Sequence, residues 1–65
     1  MGLINKIREH RELLKMTQEE LASAVGVSRQ TIISMEKGNY EPSLGLGFKL
    51  ARVFKVSVEQ LFMLK

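Results

Sequence analysis

The sequence predicts a compact all-α domain of five short helices, and two observations support this. Apolar residues recur at the spacing of amphipathic helices. Serine or threonine residues stand where four of the five helices would begin, which is typical of N-caps. We place the helices at about residues 3–15, 18–24, 28–37, 43–55 and 58–62. The short connections between them indicate a single domain spanning residues 1–65.

The first helix carries a charge within its apolar stripe. Ile4, Ile7 and Leu14 fall on one face at helical spacing, and Arg11 occupies the remaining position of that face. Because burying an unpaired charge is costly, we expect Arg11 to have a partner.

The second and third helices are joined by one tight turn. Thr17 and Glu20 form the capping box that begins the second helix. Gly26 follows the last turn of this helix and suits the left-handed conformation that ends a helix. We expect the turn to be too tight for a β-carbon at Gly26. Ser28 then caps the third helix.

The last two helices follow the same rules. Ser43 caps the fourth helix, and Ser57 with Gln60 forms a capping box for the fifth. The predicted apolar stripe of the fourth helix consists of Leu44, Phe48, Ala51 and Phe54, and Leu50 and Val53 widen it. Gly45 and Gly47 lie inside that helix, where each glycine costs ~1 kcal/mol relative to alanine.

Composition argues against several classes of protein. The 65 residues include no cysteine and one histidine, and every acidic residue is a glutamate. We therefore expect no disulfide, no metal, no cofactor and no enzymatic activity. No apolar run approaches the ~20 residues of a membrane-spanning helix, and the N-terminus lacks the apolar core of a signal peptide. We expect a cytoplasmic protein with no membrane partner.

The net charge of +3 is unevenly distributed along the chain. Residues 1–26 hold equal numbers of basic and acidic groups, so the whole excess lies in residues 27–65. A modest positive field suits an anionic partner such as a nucleic acid.

The predicted second and third helices carry a pattern of fixed spacing. Its members are Gln18, Ala22, Gly26, Val27, Ile32 and Glu36. This pattern resembles the helix-turn-helix of phage repressor and Cro proteins, the xenobiotic-response-element type of regulator, and the resemblance covers essentially the whole chain. Residues 27–32 and 40–44 further resemble a subgroup of short stand-alone regulators that includes the cytolysin operon repressor. The resemblance implies a lambda-repressor-like DNA-binding fold with its helix-turn-helix at helices 2 and 3.

The start of the third helix holds the candidates for base contacts. Arginine can bond guanine O6 and N7 as a pair, and glutamine can bond adenine N6 and N7, which suits Arg29 and Gln30. Alternatively, Arg29 holds a phosphate, or both residues belong to an ordinary solvated face. The resemblance also implies base contacts at Arg29, Gln30 and Ser34. Ile33 stands where the subgroup usually has a polar residue; it could touch a thymine methyl or be an exposed apolar residue at an altered site.

Phosphate contacts fix the position of a protein on DNA without reading sequence. Gln18 resembles the phosphate contact that the family has at the start of the second helix. The other candidates for phosphate contacts are Ser28, Thr31, Lys37, Asn39 and Tyr40. The resemblance also brings Arg11 and Glu36 together as a partly buried, structural salt bridge.

The C-terminal residues are too apolar to end a monomer, since an exposed apolar patch usually marks an interface. The predicted dimer interface consists of Val58, Leu61, Phe62 and Leu64. The resemblance implies pairing through this region, with two recognition helices ~34–36 Å apart on a palindromic operator. It also suggests a small sheet between the chain ends, residues 3–4 and 62–64.

Together these features predict a homodimeric transcriptional regulator, a repressor, that binds double-stranded DNA by sequence. An antitoxin-like module that binds a protein partner as well as DNA is the alternative. Because one DNA-binding domain occupies the whole sequence, we expect no small-molecule ligand.

Overall fold

A computed structural model describes residues 3–64 of the chain, and it has the predicted mostly helical fold. Met1, Gly2 and Lys65, the ends of the predicted domain, lie outside the described residues. Within residues 3–64 there are five helices and two short strands. In chain order they are β1 (Leu3–Asn5), α1 (Ile7–Leu13), α2 (Gln18–Val25), α3 (Arg29–Glu36), α4 (Leu44–Phe54), α5 (Val58–Leu61) and β2 (Phe62–Leu64).

The two strands pair antiparallel and join the two ends of the described chain. Leu3 lies opposite Leu64, Ile4 opposite Met63, and Asn5 opposite Phe62. The terminal β pairing suggested by the family resemblance is therefore present. The start of the first helix was predicted wrongly, because residues 3–5 give their backbone hydrogen bonds to β2 and α1 begins only at Ile7.

The predicted apolar stripe of the first helix is also corrected. Ile7 is fully buried, but Ile4 lies in β1 and is exposed, and Leu14 follows α1 and is exposed. The helix is too short to carry the whole stripe. Lys15, just beyond it, has a φ of 57°, so the chain turns away there.

The hydrophobic core lies where α1, α2, α3, α4 and α5 meet. Its buried members are Ile7, Leu21, Ala22, Val25, Ile32, Met35, Leu46, Leu50, Ala51, Phe54 and Leu61. The stripe predicted for α4 is partly wrong, since Leu44 and Phe48 are exposed, whereas Leu50, Ala51 and Phe54 are buried as predicted. Leu46, which the predicted stripe did not include, also faces the core. The α4 sequence holds two apolar stripes, and tertiary packing selects the one that contains Leu46 and Leu50.

Local hydrogen bonds fix the start of α2, and a left-handed glycine ends it. The Glu20 amide donates to Thr17 Oγ1 at 3.0 Å, and the Thr17 amide donates to Glu20 Oε1 at 2.7 Å, which completes the capping box. Gly26 ends α2 with a φ of 76°. A β-carbon there would meet no atom within 4 Å. The expectation of a turn too tight for a β-carbon is therefore wrong, and the left-handed backbone is what favours glycine.

Serines cap α3, α4 and α5 as predicted. The Leu46 amide donates to Ser43 Oγ at 3.2 Å, and Ser57 with Gln60 forms the second capping box. Gly47 is buried against Phe62, and a β-carbon on it would lie 3.6 Å from that ring. No helix among residues 3–64 is long and apolar enough to cross a membrane.

Candidate nucleic-acid interface

Arg29 and Gln30 are the first two residues of α3, and both side chains are exposed. Ser28 caps the helix just before them, its Oγ accepting from the Thr31 amide at 3.2 Å. On the opposite side of α3, Ile32 and Met35 are fully buried in the core. The core therefore fixes α3 while the start of the helix projects two long polar side chains into solvent.

Ser28 and Thr31 bond to each other as well. Their hydroxyl oxygens lie 2.9 Å apart, so one hydroxyl hydrogen is used between them. The pair retains one further hydroxyl hydrogen that a phosphate oxygen could accept.

Several predicted contact residues line one shallow surface depression beside α3. They are Ser28, Gln30, Thr31, Ser34, Asn39 and Tyr40. Arg29, Ile33 and Lys37 lie outside this lining; Arg29 and Lys37 are exposed and Ile33 is half-buried. The structure thus brings two base-contact candidates and four phosphate-contact candidates onto one surface.

The end of α3 places Asn39 and Tyr40 next to that helix. Gly38 has a φ of 81° and its amide donates to the Met35 carbonyl at 3.0 Å. The Asn39 amide donates to the Ser34 carbonyl at 2.9 Å. The chain folds back along α3, so the loop shares the α3 surface.

Arg11 and Glu36 form a partly buried ion pair that joins α1 to the end of α3, as the family resemblance implies. Arg11 Nε donates to Glu36 Oε2 at 2.7 Å, and Arg11 Nη2 donates to Oε1 at 3.2 Å. The side chains are 13% and 1% exposed. Arg11 Nη1 also donates to the Met16 carbonyl at 2.8 Å. The guanidinium is thus bonded in three directions.

This ion pair raises the pKa of Arg11, chiefly through the hydrogen bond to Glu36. A raised pKa means that the folded state holds the proton more tightly than the unfolded state does. The stabilisation is therefore complete below the ordinary arginine pKa and is lost only as pH rises through the raised value. It does not vary around neutral pH.

Glu36 also holds Gln18, the predicted phosphate contact at the start of α2. Gln18 Nε2 donates to Glu36 Oε1 at 3.2 Å, and the Gln18 side chain is half-buried. One of its two amide hydrogens is used in this bond, which leaves the other for a DNA phosphate. The orientation of Gln18 is therefore set from inside the protein.

Sequence reasoning missed Arg8. Its Nε lies 3.7 Å from Glu36 Oε1, the same oxygen that accepts from Gln18, and its side chain is 59% exposed. Arg8 precedes Arg11 by one helical turn on α1, a spacing that puts two side chains on one face. The spacing of Arg8 and Arg11 was therefore the sequence signal that could have indicated a role for Arg8 beside Arg11.

Asn5 provides a second link to α3. Its Nδ2 donates to the Met35 carbonyl at 2.8 Å, and its Oδ1 accepts from the Ile7 amide at 3.1 Å. Strand β1 is thereby tied both to the start of α1 and to the end of α3.

The predicted dimer residues have different environments. Leu61 is 0% exposed within its own core and cannot reach a partner, so it is removed from the predicted interface. Val58 and Phe62 are half-buried, whereas Leu64 is exposed. Near Leu64, the paired residues Ile4 and Met63 are also exposed.

Comparisons with known proteins agree with this architecture. A helix-turn-helix family model of the Cro/C1 type matches residues 7–61. The chain is 55% identical over 58 residues to an HTH-type transcriptional regulator of Methanocaldococcus jannaschii, covering 89% of this chain and 88% of that one. It is 37% identical over 57 residues to RstR, the transcriptional repressor of the cryptic phage CTXphi in Vibrio cholerae, covering 88% of this chain and 51% of the repressor.

A solved structure is similar over most of the chain. It is the crystal structure of the restriction-modification controller protein C.AhdI from Aeromonas hydrophila, with a TM-score of 0.77 and 30% identity. The match covers 83% of this chain and 82% of that one. The family resemblance drawn from the sequence is thus confirmed: the chain belongs to the Cro/C1-type helix-turn-helix family of DNA-binding transcriptional regulators.

Proposed function

We propose that this regulator is a repressor that binds a palindromic operator in double-stranded DNA as a homodimer and reads base sequence with α3. The observation that supports this best is the exposure of Arg29 and Gln30 at the first two positions of a helix whose other face is locked in the core. A rigid helix with polar residues at its N-terminus suits a major groove about 12 Å wide.

Base reading is assigned to Arg29, Gln30 and Ser34, with Ile33 beside them. Arg29 and Gln30 are long enough to make paired hydrogen bonds to guanine and adenine edges. Ser34 lies one turn beyond Gln30 and lines the same depression. The partial exposure of Ile33 suits a contact with a thymine methyl group.

Phosphate contacts are assigned to the two sides of α3. Gln18 lies on one side, with its amide oriented by Glu36. The depression on the other side carries Ser28, Thr31, Asn39 and Tyr40. Lys37, exposed at the end of α3, is a further assigned contact. These groups set the position and angle of α3 in the groove.

Dimerisation is assigned to the end of the domain that holds β1, α5 and β2. Leu64, Met63 and Ile4 expose apolar surface there, next to the half-buried Val58 and Phe62. Apolar patches of this kind favour contact with another protein surface. Two-fold pairing of identical patches would present two copies of α3 one DNA turn apart.

Repression is favoured by the relative RstR, which is a transcriptional repressor. A dimer seated on an operator would compete with the transcription machinery for the same DNA.

The test is selection of binding sites from random duplex DNA, with the wild-type protein and the double variant Arg29→Ala/Gln30→Ala compared directly. We expect the wild-type protein to enrich a palindrome whose half-sites are about 10 base pairs apart. The double variant should lose that enrichment while keeping its helical circular dichroism spectrum, because both side chains are exposed.

Two outcomes would overturn the proposal. Equal enrichment by the double variant would show that α3 does not read the bases through these residues. A folded wild-type protein that enriches no sequence would favour the protein-interaction alternative.

A further inference from the structure

Two arginines of α1 converge on one carboxylate. Arg11 Nε bonds Glu36 Oε2 at 2.7 Å and Arg11 Nη2 bonds Oε1 at 3.2 Å, so Arg11 engages both oxygens. Arg8 approaches the same group only to 3.7 Å. The carboxylate compensates one guanidinium, and the cluster of Arg8, Arg11 and Glu36 keeps one positive charge.

That uncompensated charge resides at the surface. Arg11 is 13% exposed, whereas Arg8 is 59% exposed and its ion pair is long. An exposed ion pair of this kind contributes little to stability. Arg8 can therefore give up its contact with Glu36 to bind another anion at little cost.

Gln18 marks where such an anion would lie. Gln18 Nε2 donates a hydrogen bond to Glu36 Oε1, and Arg8 approaches the same oxygen. The side chains of Gln18 and Arg8 therefore lie next to each other. Both offer N–H donors, and the guanidinium adds full charge and paired donor geometry, which suits phosphate.

We propose that Arg8 is a DNA-phosphate contact that works beside Gln18, with Glu36 as the shared anchor behind both. This inference rests on the proposed DNA-binding function and extends it to a residue of α1. It gives the α1–α2 side of the interface a charged contact next to the neutral amide of Gln18. It also assigns Glu36 a positioning role, since the carboxylate orients Gln18 and holds Arg8 close without neutralising it.

The test measures how DNA affinity depends on salt for Arg8→Gln, Arg8→Lys and wild-type protein on the selected operator. Each phosphate neutralised by a cation contributes about 0.9 to the slope of log K against log salt. We expect Arg8→Gln to reduce that slope by about 1 per protomer and to weaken binding about tenfold per protomer near 0.1 M salt. Arg8→Lys should keep most of the slope because it keeps the charge.

Arg52→Gln is the matched control. Arg52 is an exposed arginine of α4 that lines a separate groove with Val58 and Glu59, and its substitution removes the same unit of net charge. We expect its slope to stay close to that of the wild-type protein. Thermal unfolding of all variants checks that Arg8→Gln remains folded, as the exposure of Arg8 predicts.

The outcomes are distinct. The proposed contact would be wrong if Arg8→Gln left the slope unchanged. It would also be wrong if Arg52→Gln or Arg8→Lys reduced the slope as much as Arg8→Gln does. If the wild-type protein bound no operator, the proposed function itself would fail, and that result is visible before any variant is compared.

Discussion

The α3 surface and the β1–β2 end of this domain expose opposite kinds of side chain. The α3 surface presents Arg29, Gln30 and Lys37 to solvent, whereas the β1–β2 end presents Ile4 and Leu64. Polar groups of the first kind gain binding energy from charge and hydrogen bonds, and apolar groups of the second kind gain it from leaving water. The proposed DNA interface and the proposed dimer interface should therefore respond to different solution conditions.

The two interfaces should differ most in how strongly their binding affinities depend on salt concentration. Arg8, Arg29 and Lys37 are the cations assigned to the DNA side, which makes six in the proposed dimer, so raising salt from 50 to 200 mM should weaken operator binding by roughly a thousandfold or more. Association of protomers through apolar surface should change little over that range. Sedimentation of the free protein and titration of labelled operator, at matched salt, measure the two effects. If operator binding and protomer association were equally sensitive to salt, the distinction between a polar and an apolar interface would be wrong.

Arg11→Ala should have the largest effect on folding. It leaves the Glu36 carboxylate buried without its ion-pair partner, which costs about 3–5 kcal/mol for a fully buried pair. A domain of this size has a total stability of only about 3–10 kcal/mol, so much of the variant should be unfolded. Urea denaturation followed by circular dichroism measures the change.

Arg8→Ala is the control for Arg11→Ala, because it removes an arginine from the same helix and the same carboxylate. Its exposed and longer ion pair should cost no more than about 1 kcal/mol. Similar losses in the two variants would show that the ion pair of Arg11 and Glu36 is not the main link between α1 and α3.

Leu64→Glu should break the proposed dimer without unfolding the protomer. Leu64 is 73% exposed in the protomer, so a charge there is harmful only in an interface. We expect the dimer dissociation constant to rise at least about tenfold, or ~1.4 kcal/mol. Leu13→Glu is the matched control, since Leu13 is 76% exposed at the end of α1. A dimer that tolerates Leu64→Glu as well as it tolerates Leu13→Glu would place the interface elsewhere.

Replacing either of two glycines by alanine should change the stability of the fold only slightly, and the two changes should have opposite signs. Gly26 has room for a β-carbon but a φ of 76°, so Gly26→Ala should destabilise the fold by about 1 kcal/mol. Gly47 lies in helical backbone with ordinary contact distance to Phe62, so Gly47→Ala should stabilise by up to about 1 kcal/mol. Thermal melts of the two variants compare them. A loss in Gly47→Ala would show that the Phe62 ring cannot accommodate a methyl group.

The α2–turn–α3 unit could be predicted from sequence because its signals are local. Thr17 with Glu20, Gly26 and Ser28 each act within a few residues, and the structure has hydrogen bonds or dihedral angles at those positions that match. The boundary of α1 could not be predicted in this way. Residues 3–5 pair with β2, which lies at the far end of the sequence. Helical spacing carries no information about that partner.

The residues of the candidate site also divide into those that local sequence signals predict and those whose role depends on the tertiary fold. Arg29 and Gln30 were predicted from side-chain chemistry and their place in the motif, and the structure leaves them exposed. Leu61 was included in the interface because it is apolar, but the fold uses it for the core. Arg8 was missed because its spacing from Arg11 places both side chains on one face of α1 but does not show that this face meets Glu36, which depends on how α1 crosses α3.

The effect of half-site spacing on operator binding tests most sharply whether two copies of α3 bind DNA as a fixed pair. The selected palindrome is compared with a version that carries about 5 extra base pairs between its halves, which turns the half-sites to opposite faces of the duplex. If two copies of α3 are held in fixed relation by the β1–β2 end, affinity should fall at least about tenfold, toward that of a single half-site. Unchanged affinity would contradict the account, because it would mean that the two recognition helices are not held by a dimer.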